Sequence, residues 1–178
     1  YEIMLIRINW IILSLNFCLK NIYYLGKEAF LMSKKDDEYY MNYAINISAK
    51  ANCVKGQVGA IIIKDDKIIS EGVNSVPNGI KPCTESSCLR KKLNLKSGEN
   101  QELCFAVHAE QNALINVLNN HVDINNSILY VTKQPCIICA KMLINSGIKE
   151  IIYLKEYPDK YSEKLLKDAN IKLRKFSM

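Results

Sequence analysis

The chain has 178 residues, 49% apolar and 24% charged, with few glycines and prolines. That length and composition suit a single domain with a real hydrophobic core and exclude a chain that is mainly disordered. A net charge of +6 can draw in any phosphate-bearing ligand, from a nucleotide to tRNA, without choosing between them.

The first 31 residues differ from the rest. Ile3 to Leu19 is apolar but carries Arg7, Asn9 and Asn16, which makes it too polar and too short for a convincing membrane helix. No small-residue cleavage site follows it. Residues 1–31 are therefore expected to be an extension outside the fold, with the natural start at Met32 and the domain running over 32–178. From Asp37 to Ala51 apolar residues recur at helical spacing. Val58 to Ile63 and Lys67 to Val73 are β-rich runs joined by Asp65-Asp66, which predicts a hairpin. An insertion over 74–105 holds Pro77, Gly79, Pro82 and three cysteines, with a short helix expected over Cys88–Leu95. A loop of this length inside a compact domain is usually functional or stapled by metal.

Beyond it the elements alternate. Helices are predicted over His108–Leu118, Cys136–Ser146 and Tyr161–Ala169, and strands over Ser127–Thr132, Ile148–Leu154 and Ile171–Phe176. Gly147 stands where a helix C-cap needs a left-handed residue. Alternating strands and helices imply a layered α/β sheet with right-handed crossovers.

Seven cysteines are present: Cys18, Cys53, Cys83, Cys88, Cys104, Cys136 and Cys139. An odd count without a secretory signal argues against a disulfide scaffold and for metal binding in a reducing cytoplasm. Two motifs carry the chemistry: His108-Ala109-Glu110 and Pro135-Cys136-Ile137-Ile138-Cys139. Cys136 and Cys139 are three apart, so one helical turn aims both sulfurs the same way. Each motif opens a predicted helix, where the N–H groups and the dipole favour thiolate. One nitrogen and two sulfur ligands leave a tetrahedral zinc one position for water, the pattern of a catalytic rather than a structural site. Glu110 is then free to act as proton shuttle. The pair of motifs is the signature of zinc nucleobase deaminases.

On these residues the stretch from Asp36 to Phe176 resembles the deoxycytidylate (dCMP) deaminases, including a bacterial branch linked to a late-competence operon. The matching segments are Gln57-Val58-Gly59-Ala60, His108 to Ala113, Gln134 to Lys141 and Asn145 to Lys149. The resemblance implies a three-layer α/β/α, cytidine-deaminase-like fold with a mixed five-stranded sheet. It implies hydrolysis of dCMP to dUMP and ammonia, supplying dUMP for thymidylate synthesis. It also implies a homo-oligomer, often a hexamer, regulated by dCTP and dTTP, with no nucleic-acid or membrane partner. By the same resemblance Asn74 and Ala109 contact the nucleotide and Tyr157 can stack on the cytosine. The family's Gly-Tyr-Asn-Gly loop reads Gly72-Val73-Asn74-Ser75 here, which weakens the inference of dCTP and dTTP control.

Cys53, Cys83, Cys88 and Cys104 are candidates for a second, structural zinc that would order the insertion; the alternative is four thiols without metal. Arg90, Lys91 and Lys92 are expected to form a solvated basic face. Two rival functions fit the same motifs. One is a tRNA adenosine deaminase, disfavoured by the insertion between Asn74 and His108 and by Asn112. The other is a non-catalytic zinc module for DNA uptake, which would have no use for Glu110.

Overall fold

The computed structural model describes residues 36–177. The extension over 1–31, the start at Met32 and Cys18 lie outside the described residues. Asp36 caps helix α1 (Asp37–Ser48) by accepting the Tyr39 N–H at 2.9 Å. The helix stops three residues short of Ala51. Its end tightens instead into bonds from Lys50 to the Ile47 carbonyl, 2.9 Å, and from Ala51 to the Ser48 carbonyl, 3.0 Å.

Strands β1 (Gly59–Lys64) and β2 (Lys67–Val73) form the expected antiparallel hairpin. Asp65 and Asp66 both take positive φ, 49° and 57°, as a two-residue turn matched to strand twist requires. With β3 (Ile128–Lys133), β4 (Glu150–Lys155) and β5 (Lys172–Lys175) they make a five-stranded sheet in the order β2-β1-β3-β4-β5. It is mixed: β1 is antiparallel to both neighbours, and β3, β4 and β5 are parallel. The remaining helices are a single turn, α2 (Leu89–Lys92), then α3 (Ala109–Asn119), α4 (Ile137–Asn145) and α5 (Lys160–Asp168).

Alternation along β1 divides the core. Ile61 and Ile63 meet Met41, Ala44 and Ile47 of α1 on one face. Ala60 and Ile62 meet Ala113 and Val117 of α3, Leu143 of α4 and Leu166 of α5 on the other. Because helices cover both faces, β1 reads as an unbroken apolar run. The result is three α/β/α layers around a mixed sheet. Among the described residues no helix is long and apolar enough to cross a membrane.

The insertion is a closed excursion. Ser75 and Val107 exchange two backbone hydrogen bonds, 3.1 and 2.8 Å, and so pin its ends together. Inside it α2 ends earlier than Leu95, because Asn94 takes a left-handed conformation (φ 52°) that an α-helix cannot continue. A 3-10 turn over Gln101–Leu103, which no periodicity announced, follows.

Candidate active site

His108 and Cys136 are not first helical residues but caps. Both keep extended backbone, φ −71° and −76°, just before α3 and α4. Their side chains turn towards each other. The His108 Nδ1 lies 3.5 Å from the Cys136 Sγ and 3.4 Å from the Cys139 Sγ. Cys139 sits in the first turn of α4, fully buried.

The surroundings hold this corner from three sides. Gln111 accepts the His108 N–H at 2.9 Å, as a residue three past a cap does. Asn112 Nδ2 donates to the Val73 carbonyl at 2.7 Å, tying α3 to the end of β2. A Cβ at Gly72 would lie 2.3 Å from the Ala109 carbonyl oxygen, so only glycine lets α3 approach β2 this closely. From α5, Asp159 accepts the Ile137 N–H at 2.7 Å, and the buried Ser162 hydroxyl donates to the Pro135 carbonyl at 2.7 Å. Cys136 is therefore fixed by its neighbours on both sides.

The ligand atoms of His108, Cys136 and Cys139 all lie within 4.8 Å of one another, the only such group of three or more among the described residues. One imidazole nitrogen and two sulfurs are a zinc donor set with one position left over, so the residues fit the metal. The hydrogen bond from Cys139, and then that from His108, pulls Cys136 down to about 4 against the opposing effect of burial. Cys139 is held far above the usual thiol range by the same bond and by burial. His108 is raised, chiefly by its bond to Cys136. The two sulfurs thus share one proton, which a divalent cation would displace. Glu110 lies beside them, 5% exposed. Burial pushes its carboxyl up to about 7, with the nearby His108 pulling the other way. A carboxyl in that range can both take and give a proton near neutrality.

The cluster opens into a cavity of about 290 Å³. Asn74, Ala109 and Tyr157 all line it, as do Cys53, Cys83, Cys88 and Cys104. Asn74 is already engaged: its Oδ1 accepts the Val58 N–H at 2.7 Å and its Nδ2 donates to the Gly56 carbonyl at 2.8 Å. Ala109 has no exposed surface. The Tyr157 ring carries the Lys133 Nζ over its face, 4.7 Å from the centroid. The four cysteines are free thiols. Burial and the neighbouring Cys88, Cys104 and Cys53 raise the Cys83 thiol, but the four sulfurs do not draw together as the His108 group does.

One of the three basic residues expected on a solvated face is not there. Lys91 pairs with Glu85 at 2.5 Å and Lys92 is exposed. Arg90, however, is 7% exposed and lines the cavity, donating to the carbonyls of Lys96 (2.7 Å), Asn100 (2.8 Å) and Glu99. A run of three basic residues gives no sign of which one turns inward. Lys133, Asp159 and Ser162 were also missed; Asp159, standing just before a helical pattern, was legible as a cap and so as a candidate support.

Residues 34–155 match the model of the cytidine and deoxycytidylate deaminase zinc-binding region. The chain is 33% identical to the deoxycytidylate deaminase of Schizosaccharomyces pombe over 79% of its own length, but spans only 44% of that relative. It is 34% identical to the deoxycytidylate deaminase of Mycobacterium phage D29, over 70% of this chain and 99% of that one. The structure of the dCMP deaminase of cyanophage S-TIM5 in complex with dCMP and dUMP superposes with a TM-score of 0.65 at 30% identity, covering 78% of this chain and 95% of the other. With the family model matched over most of the chain and the His/Cys/Cys group in place, the protein belongs to the cytidine and deoxycytidylate deaminase family.

Proposed function

We propose that the chain hydrolyses dCMP to dUMP and ammonia. The observation that carries this reading is the buried Glu110 carboxyl beside the His108, Cys136 and Cys139 donors at a cavity of about 290 Å³. The likeness to a deaminase structure holding dCMP and dUMP supports the choice of nucleotide.

His108, Cys136 and Cys139 would hold the zinc, which when bound supplies an acidified water as the attacking group. Glu110 takes the proton of that water, gives it to N3 of the pyrimidine, and later protonates the departing amine. At C4 a bond to oxygen forms and the bond to nitrogen breaks, so ammonia leaves. Glu110 needs no second acid or base, because burial keeps both of its forms accessible. The Ala109 backbone forms the wall of the cavity beside it. The Asn74 amide holds the Gly56–Val58 turn, and its remaining donor and acceptor are assigned to the sugar. Tyr157 walls the pyrimidine from the other side.

The same reading places the protein at the supply of dUMP for thymidylate synthesis, as a cytoplasmic homo-oligomer open to dCTP and dTTP control. Cys53, Cys83, Cys88 and Cys104 are proposed as a second zinc site, supported by their shared place on the cavity wall. Two zinc ions per chain on elemental analysis is the expected result, and one would end that proposal.

The activity is tested by incubating the zinc-loaded protein with dCMP, dCTP, deoxycytidine and a tRNA anticodon stem while ammonia is measured. Release from dCMP in preference to the others is expected. Release from the anticodon stem alone would overturn the assignment in favour of a tRNA deaminase, and none from any substrate would point to a non-catalytic zinc module.

A further inference from the structure

The cavity is lopsided in charge. Three lining side chains are cationic, Lys55, Arg90 and Lys133, and only Glu110 is anionic. Glu110 is taken up by proton transfer in the reading above. Arg90 is engaged with three backbone carbonyls, and the Lys55 Nζ donates to the Leu95 carbonyl. Both cations hold the insertion rather than waiting for a ligand.

Lys133 is different. It is the last residue of β3, half-buried, three residues before the ligand Cys136. Its Nζ donates to the Ser97 hydroxyl at 3.2 Å and lies over the Tyr157 ring. Among the described residues it takes part in no ion pair. Burial works against its charge, as do Lys155, Lys55 and Arg90, while Glu110 alone favours it. A desolvated ammonium that meets only a hydroxyl and a ring face is incompletely compensated, and an anion beside it would relieve that cost.

We propose that Lys133 anchors the 5′-phosphate of the substrate, with the Ser97 hydroxyl as a second donor, and so selects nucleotide over nucleoside. This rests on the deaminase reading and deepens it. The spacing is right for the task. Three residues of extended chain span at most about 11 Å from Cys136, the distance a base and a sugar occupy between the reacting carbon and the phosphate. Lysine binds phosphate as a compact point charge, with no planar fork to align. Ser97 belongs to the insertion tip, where the Tyr157 hydroxyl also bonds to Ser97 and to the Gly98 backbone. Substrate phosphate would thus bridge the end of β3 to the insertion, giving the insertion a part in specificity.

The test compares the zinc-loaded wild type with Lys133→Met, which keeps the length and apolar stem of the side chain. Steady-state kinetics on dCMP and on deoxycytidine give the ratio of the two kcat/KM values. That ratio should fall about 10- to 150-fold, the worth of one charge-assisted hydrogen bond, mainly through KM for dCMP. Lys133→Arg should recover part of it. An unchanged ratio overturns the assignment while leaving the deaminase reading intact. Calorimetric titration with inorganic phosphate decides the matter independently of turnover. Binding that is present in the wild type and lost in Lys133→Met supports the site even if no substrate is turned over, in which case only the activity assignment fails. Equal binding, or none to the wild type, overturns it.

Discussion

The floor and the roof of the cavity are built by different means. The floor is two helix starts, with His108 and Cys136 as caps and Glu110 and Cys139 in the first turns. The roof is the insertion between Ser75 and Val107, whose longest helix is the four-residue α2. The floor is held by regular structure and its caps. Much of the roof is held by cationic side chains that donate to backbone carbonyls, three from Arg90 and one from Lys55. The difference teaches that a chemical constellation can be set by local helix geometry, whereas the wall that closes over it depends on long side chains reaching irregular backbone.

The sharpest way to break that division is at the floor. Glu110→Gln keeps the shape and the three metal ligands but cannot shuttle a proton. Turnover is expected to fall about 10²- to 10⁴-fold while zinc content stays unchanged. Zinc lost along with activity would mean that Glu110 supports the metal rather than the proton. A second strike is steric. In Gly72→Ala the new Cβ would meet the Ala109 carbonyl oxygen at 2.3 Å and the Ala113 nitrogen at 2.4 Å, both backbone atoms that cannot swing aside. Thermal unfolding should show a loss of about 3 kcal/mol, the upper end of ordinary overpacking. Because Ala109 adjoins both His108 and Glu110, activity should drop with it. Wild-type stability in this variant would show that α3 is free to slide on β2.

The same contrast explains what the sequence disclosed. The fold was legible because its signals are local: the 3.6 period of α1, the apolar run of β1, the Asp65-Asp66 turn and the Gly147 cap all report their own conformation. The residue types and spacing of the two motifs likewise foretold that His108, Cys136 and Cys139 would meet, although not that two of them would be caps rather than helical. Arg90 and Lys133 were not legible. Each resembles any surface cation in sequence, and what turns them inward is the path of the insertion, which no periodicity encodes. Ser162 was hidden for the same reason: its partner, Pro135, is 27 residues away.

The roof can be loosened on its own. Arg90→Met removes the donor to three carbonyls, at an expected cost of about 2 kcal/mol. If roof and floor are separately held, the loss stays local. Hydrogen exchange over residues 95–104 should quicken while α3, α4 and the zinc content remain as they were. Loss of zinc, or faster exchange in α4, would show that the roof supports the floor.

The smallest expected effect probes the one support of the floor that comes from outside its own helices. Pro135 offers only a carbonyl, and in this corner the Ser162 hydroxyl of α5 bonds to it at 2.7 Å with Ser162 fully buried. Ser162→Ala leaves that carbonyl unpaired without disturbing the Asp159 bond to Ile137, so the loss should be about 1 kcal/mol in denaturant unfolding. The more telling readout is the rate at which a chelator strips the zinc. Cys136 sits between Pro135 and Ile137, and relaxing one flank lets its sulfur leave the donor cluster more often, so stripping should quicken while the Asp159 flank still holds. Unchanged stability together with unchanged stripping would mean that α5 merely covers the corner, and that the two caps and their own helices hold the metal site unaided.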